Sequence, residues 1–171
     1  FIGIGGIGMS GIAEILFQSG YQVQGSDIQK SNNTNRLEKL GIKIYIGQKK
    51  ANIAHAKIIV ISTAISETNE EFITAKKMFI PIVHRSEMLG ELMRLKQSIA
   101  IAGTHGKTTT TSLIAKMIEE NGMDPTIING GIISSLDSNA RLGNGEWMVV
   151  EADESDGSFA KLNPTAAIIT N

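Results

Sequence analysis

The sequence contains no cysteine, which excludes disulfide frameworks and thiolate metal sites. It has almost no excess charge: 16 Lys and Arg stand against 17 Asp and Glu, a formal net charge of −1, so no basic field is available to hold a nucleic acid or an anionic membrane. Aromatic residues make up only 5% of the chain, and no uncharged run approaches the ~20 residues of a membrane span. No charged-then-apolar leader opens the chain, no repeat recurs at a period of about 20–50 residues, and no segment is of low complexity. A globular protein of one domain or two small ones is expected from 171 residues with 42% apolar content, with the cytoplasm as its default location. What the chain has in excess is glycine, 18 residues against an average of about 7%. Two clusters of these carry the argument.

Hydrophobic spacing gives the organisation. Residues 11–18 have helical spacing with Gly20 as a left-handed stop, 21–27 read as extended, 35–40 as helical with Gly41 as stop, and 42–46 as extended. The segment 57–63 contains Ile-Ile-Val-Ile, a β-branched run of the kind buried on both faces of a parallel sheet. A helix over 69–78, a strand over 80–84 and an amphipathic helix over 86–95 close a first unit, expected at 1–96. The pattern then restarts: an apolar strand over 97–102, a Gly-Thr loop, and a helix to about Asn121. Strands over 126–129, 147–151 and 166–170 follow. The fold class is therefore α/β, a Rossmann-like parallel-sheet domain followed over 97–171 by a P-loop α/β domain that looks truncated, with Phe1 falling inside an incomplete first strand.

Gly3, Gly5 and Gly8 satisfy G-x-G-x-x-G between a strand remnant and a helix, with Gly6 and Gly11 added. Glycines there permit a tight turn and let backbone N–H groups approach a diphosphate at the positive end of the helix. Asp27 follows about twenty positions on, at the end of the second strand, where an acidic side chain accepts from a nucleotide hydroxyl. The loop fits a dinucleotide such as NAD as well as it fits a sugar nucleotide; a ligand-free turn is the plainer reading.

The second loop, Gly103, Thr104, His105, Gly106, Lys107, Thr108 and Thr109, resembles a P-loop in a shortened G-T-x-G-K-T form, since Ile101 stands where the longer pattern needs glycine. Its backbone N–H groups can cradle the phosphates of ATP or GTP, Lys107 can neutralise the β and γ oxygens, and the Thr108 hydroxyl can ligate Mg²⁺. Such a nucleotide also needs a carboxylate for the metal at the end of a neighbouring apolar strand, and Glu151 closes Trp-Met-Val-Val-Glu. Asp153, Glu154 and Asp156 follow it, and each has a plain reading as part of a polar loop.

These segments in this order resemble the Mur ligases, the ATP-dependent amide-forming enzymes of peptidoglycan synthesis. The resemblance rests on GIGGIGMSGIAE at 3–14, GSD at 25–27, SEMLGELMR at 86–94, AGTHGKTTTT at 102–111, NGG at 129–131 and EADESDGSF at 151–159. It implies a UDP-sugar-binding first domain, the opening part of a central ATPase domain, and a reaction joining L-alanine to the lactyl carboxylate of UDP-N-acetylmuramate through an acyl phosphate. By the same resemblance ATP and Mg²⁺ are the cofactors, Lys107 and Glu151 are catalytic, and Thr108 and Glu151 hold metal. Gly5, Gly6, Gly8 and Ser10 would face the UDP diphosphate and Asp27 the uridine end. Ser62, Thr63 and Ala64 would border the same nucleotide, and Asn129 would contact the sugar-lactyl portion unless it is simply a turn former. His105 would approach a ligand, whereas His55 and His84 read as surface or strand residues. A chain of this extent is expected to bind UDP-sugar without turning over. Three alternatives stay open: a sister ligase attaching a preformed peptide, an NAD-binding module fused to a regulatory P-loop, and a non-catalytic nucleotide sensor. Amino-acid specificity and oligomeric state are not encoded in these residues.

Overall fold

A computed structural model describes residues 1–133, 138–152 and 162–171. It falls into two compact units, Phe1–Arg85 and Ser86–Asn171, so the division precedes the helix that the sequence reading assigned to the first domain.

In the first unit, α1 (Ile7–Gln18), β1 (Gln24–Asp27), α2 (Asn32–Leu40) and β2 (Lys43–Ile46) alternate, and a 3₁₀ turn (Lys50–Ile53) leads to β3 (Ile59–Ile61), α3 (Glu70–Lys77) and β4 (Ile82–His84). β1 pairs with β2 and β3 with β4, both in parallel. The opening residues join these pairs. Ile2 bridges Ser26 in parallel and its N–H donates to the Val60 carbonyl at 3.0 Å, while the Ser26 N–H returns to the Phe1 carbonyl at 2.9 Å. The first segment thus lies between β1 and β3, and crossovers leave it on both sides. That is the topological switch point at which doubly wound sheets bind nucleotides. Ile2 packs with Ile53, Ile59, Phe72 and Ala75, and Ile4 with Ala13, Leu37 and Ile42.

Local chemistry sets the helix ends. Ser31 and Thr34 form a reciprocal capping box ahead of α2, which stops at Gly41 in the left-handed conformation (φ 104°). The Asn69 side chain accepts from the Glu71 and Phe72 N–H groups; Glu70 and Glu71 then sit in the first turn of α3 and Lys76 and Lys77 in its last, as the helix dipole favours. The helix α1 begins at Ile7, earlier than its spacing suggests, because Gly8 and Gly11 weaken the local signal without preventing the turn.

The second unit takes in α4 (Arg85–Met93) from its second residue, then β5 (Gln97–Ala102), α5 (Lys107–Glu120), β6 (Thr126–Ile133), β7 (Ser138–Arg141), β8 (Trp147–Glu151) and β9 (Ala166–Ile169). Its sheet has the order β7-β6-β8-β5-β9, all parallel except β7. Ile101, Ala115, Ile127 and Val149 form the core between α5 and the sheet. Register places Ile101 opposite Glu151, so the loop after β5 and the last residue of β8 emerge at one edge. Among the described residues no helix is long and apolar enough to cross a membrane.

Candidate functional site

The loop after β5 is built from two glycines with positive φ, Gly103 (126°) and Gly106 (79°), the second serving as N-cap of α5. No side chain caps that end of the helix. Its first-turn N–H groups therefore present a positive end unspent by any cap, the usual setting for a bound phosphate. Thr104, His105, Gly106, Thr108 and Thr109 are exposed along this loop and first turn. Lys107 curls back over it, its Nζ donating to the Gly103 carbonyl at 2.5 Å.

A second pair of residues, without a signal in the sequence, braces the loop. Beyond β9, Thr170 donates from its N–H to the Ala102 carbonyl (3.0 Å) and from its hydroxyl to the His105 carbonyl (2.5 Å). The His105 N–H donates to Asn171 Oδ1 at 3.0 Å. Only the pairing of β9 with β5 brings these distant positions together.

Glu151 lies beside the loop. Its Oε2 accepts from the Thr108 hydroxyl at 2.8 Å and from the Gly130 N–H at 2.9 Å. A Cβ at position 130 would stand 2.6 Å from the Glu151 Cδ, so a side chain there would displace the carboxylate from this place. Thr108 and Glu151 thus offer a hydroxyl and a carboxylate oxygen at one point, the hard donors Mg²⁺ prefers. Among the described residues no group of three or more His, Asp or Glu gathers into a site of its own, so a cation here would complete its shell with phosphate oxygens and water. Asp153, Glu154 and Asp156 lie outside the described residues. Asn129 belongs to this second unit, where it is buried and hydrogen-bonded to α5.

In the first unit, Asp27 Oδ2 accepts from the Gly5 N–H at 2.8 Å, and Asn33 Nδ2 donates to the Gly5 carbonyl at 2.8 Å. A Cβ on Gly5 would stand 2.8 Å from Asp27 Oδ2 and 2.9 Å from Thr34 Cγ2, so the loop can pass the strand end only as glycine. Gly6 is the N-cap of α1, again with no side-chain cap. At Gly8 the missing Cβ makes room for Arg85, whose Nη1 lies 2.8 Å from that point. This puts a guanidinium at the first turn of α1, a cation that the motif alone did not indicate. Ser10 is fully buried and its hydroxyl donates to the Ile7 carbonyl at 3.0 Å, so in this structure it serves the helix. Ser62, Thr63 and Ala64 form a turn closed by the Ile65 N–H on the Ser62 carbonyl at 3.1 Å, and Ile65 Cδ1 reaches to 3.1 Å from where Gly3 would carry a Cβ.

The end of β1 is anchored from below. Glu71 is fully buried, accepting from the Ser26 hydroxyl at 2.5 Å and from Asn52 Nδ2 at 2.6 Å. Removing the carboxylate would leave the buried Ser26 hydroxyl without its acceptor and Asn52 Nδ2 with the Gly47 carbonyl, and would open a void, so Glu71→Ala is expected to lower stability by about 2–4 kcal/mol. Glu71→Gln retains shape and an acceptor for Asn52, and the Ser26 hydroxyl can turn to accept, so it is expected to cost about 1 kcal/mol. Urea unfolding of the two variants checks the order; equal midpoints would show that the network is not required.

Residues 1–97 match the family model described as Mur ligase family, catalytic domain, and residues 101–171 match the Mur ligase middle domain. The UDP-N-acetylmuramate--L-alanine ligase of Parvibaculum lavamentivorans is 62% identical over all 171 residues, which make up 35% of that protein. That of Rhodospirillum rubrum is 60% identical over the same span, 36% of its length. The chain therefore spans about a third of the curated relatives it matches. Among solved structures, the UDP-N-acetylmuramate-alanine ligase of Thermotoga maritima superposes with a TM-score of 0.94 at 36% identity, covering 100% of this chain and 40% of that one. A UDP-N-acetylmuramate:L-alanyl-gamma-D-glutamyl-meso-diaminopimelate ligase from Neisseria meningitides gives 0.90 at 29%, covering 98% and 58%. With both halves matched in order along its whole length, the chain belongs to the Mur ligase family.

Proposed function

We propose that this chain forms the UDP-sugar-binding domain and the phosphate-binding part of the ATPase domain of a ligase that joins L-alanine to UDP-N-acetylmuramate. The observation that carries the reading is the hydrogen bond between Thr108 and Glu151 beside the Lys107 loop. It assembles a phosphate cradle and a pair of hard oxygen donors at one place, which phosphoryl transfer from ATP requires. The choice of L-alanine over a preformed peptide is supported by relatives: the two curated alanine ligases quoted above are 60% and 62% identical and the alanine ligase structure 36%, whereas the peptide ligase structure is 29% identical.

In the proposed reaction the lactyl carboxylate oxygen attacks the γ-phosphorus of ATP and ADP leaves, giving an acyl phosphate. The amine of L-alanine then attacks the acyl carbon, an amide forms, and phosphate leaves with loss of a proton from nitrogen. Two anions must meet in the first step, and this chain's part is to lower that cost. Lys107 leaves the Gly103 carbonyl and turns to the β and γ oxygens, while Gly103, Thr104, His105, Gly106, Thr108 and Thr109 wrap the phosphates with backbone N–H groups and the end of α5. Thr108 and Glu151 would hold Mg²⁺, which would supply further positive charge against the phosphates. In the first unit, Gly5, Gly6 and Gly8 with the N-terminus of α1 and Arg85 receive the UDP diphosphate. Asp27 sits at the uridine end, and the turn of Ser62, Thr63 and Ala64 borders the nucleotide.

Competition binding tests the reading. UDP and UDP-N-acetylmuramate are expected to displace one another from the chain while NAD displaces neither, and the intact ligase is expected to release phosphate only with UDP-N-acetylmuramate and L-alanine both present. Displacement by NAD instead of UDP would overturn it.

A further inference from the structure

The side chain of Asn129 is hydrogen-bonded inside the protein through both its nitrogen and its oxygen. Its Oδ1 accepts from the Gly130 N–H at 3.0 Å; its Nδ2 donates to Ser112 Oγ at 3.1 Å and, more weakly, to the Thr108 carbonyl at 3.4 Å. The residue is 2% exposed. A primary amide has two N–H donors and an oxygen with two lone pairs; both donors and one lone pair are engaged here. The assignment of nitrogen and oxygen is fixed by chemistry: the reverse orientation would set NH₂ against the Gly130 N–H and carbonyl oxygen against the Thr108 carbonyl.

What Asn129 does touch is the pair beside the phosphate loop, from both sides. The Gly130 N–H that it orients also donates to Glu151 Oε2 at 2.9 Å. The Thr108 backbone that it holds carries the hydroxyl donating to the same Oε2 at 2.8 Å. Asn129, Gly130, Glu151 and Thr108 therefore close a ring of hydrogen bonds in which one buried amide fixes the spacing between a carboxylate on β8 and a hydroxyl on α5. From β7, Asn139 Nδ2 approaches the Asn129 carbonyl at 3.5 Å, and Asn139 is itself fully buried. We infer that Asn129 is a positioning residue for the cation pair Thr108 and Glu151, acting through Gly130 and the first turn of α5.

This inference rests on the proposed reading of Thr108 and Glu151 as cation ligands, and its test separates the two. Mn²⁺ bound to the intact ligase with a non-hydrolysable ATP analogue is counted by electron paramagnetic resonance, and UDP-N-acetylmuramate affinity is measured separately by calorimetry. Outer-shell partners of a metal typically govern affinity by roughly 10–100-fold, so Asn129→Ala is expected to weaken Mn²⁺ binding by that order with UDP-N-acetylmuramate affinity unchanged. Asn129→Asp keeps the acceptor for Gly130 but loses the donors to α5, and is expected to fall between Asn129→Ala and the parent. Should Asn129→Ala not fold, Ser112→Ala removes one partner alone and is expected to give a smaller loss in the same direction. Weakened sugar-nucleotide binding with Mn²⁺ affinity intact would overturn the inference. So would unchanged Mn²⁺ affinity in Asn129→Ala where Glu151→Gln loses it. Unchanged Mn²⁺ affinity in Glu151→Gln as well would instead overturn the cation-site reading beneath it.

Discussion

Replacing Lys107 by alanine is expected to lower kcat of the intact ligase by roughly 10³-fold or more, the range seen when a charge that meets a transferring phosphoryl group is removed. The argument is one of charge. The attacking carboxylate and the triphosphate repel one another, and a cation at the β and γ oxygens inside a partly desolvated loop acts far more strongly than in water. A loss of that size corresponds to about 4 kcal/mol of barrier. Stability is expected to change little. Lys107 opens α5, where lysine and alanine are both good helix formers, and the losses to folding include its hydrogen bond to the Gly103 carbonyl. Thermal unfolding read beside the kinetics separates the two effects, and Lys107→Arg, whose planar fork does not reproduce a compact ammonium, is expected to recover only part of the rate. A Lys107→Ala enzyme with the parent rate would end the assignment.

Glu151→Gln is expected to lower kcat by roughly 10²–10³-fold at ordinary Mg²⁺ and to raise the Mg²⁺ concentration needed for half-maximal rate. The amide keeps an oxygen for the Thr108 hydroxyl and the Gly130 N–H, so the hydrogen bonds that locate the side chain survive while its charge does not. That makes it a sharper test than Glu151→Ala, which would also release Thr108 and Gly130. Steady-state rates over a Mg²⁺ series decide it: a curve superposing on the parent's would show that the carboxylate holds no cation.

The parts of both sites that could be read from sequence are those whose chemistry is local. β5 and β8 occupy the ranges expected, because short apolar runs bounded by glycine or charge can hardly be anything but buried parallel strands. The strand β7, Ser-Asn-Ala-Arg, was not foreseen: its four residues carry no β-branched side chain, and it is a strand only because β6 offers it Ile127 and Ile128 as partners. The same limit applies to function. Lys107, Thr108 and Glu151 announce themselves by spacing and by the strand that ends in glutamate. Arg85 beside Gly8 and the brace of Thr170 and Asn171 on His105 depend on which strands lie side by side, which no window of sequence contains. Asn129 could be found but not understood, since Asn-Gly-Gly suggests a turn whereas the residue lies inside β6 with its amide turned inward.

The seat of Ile2 between Ser26 and Val60 also bears on biosynthesis. A ribosome delivers this segment before either neighbour, yet its amide finds its acceptor only when β3 has emerged. Through that interval an isoleucine destined for complete burial is exposed, and the sheet cannot close. The strands on either side of Ile2 can therefore be joined through it only after β3 has been synthesised.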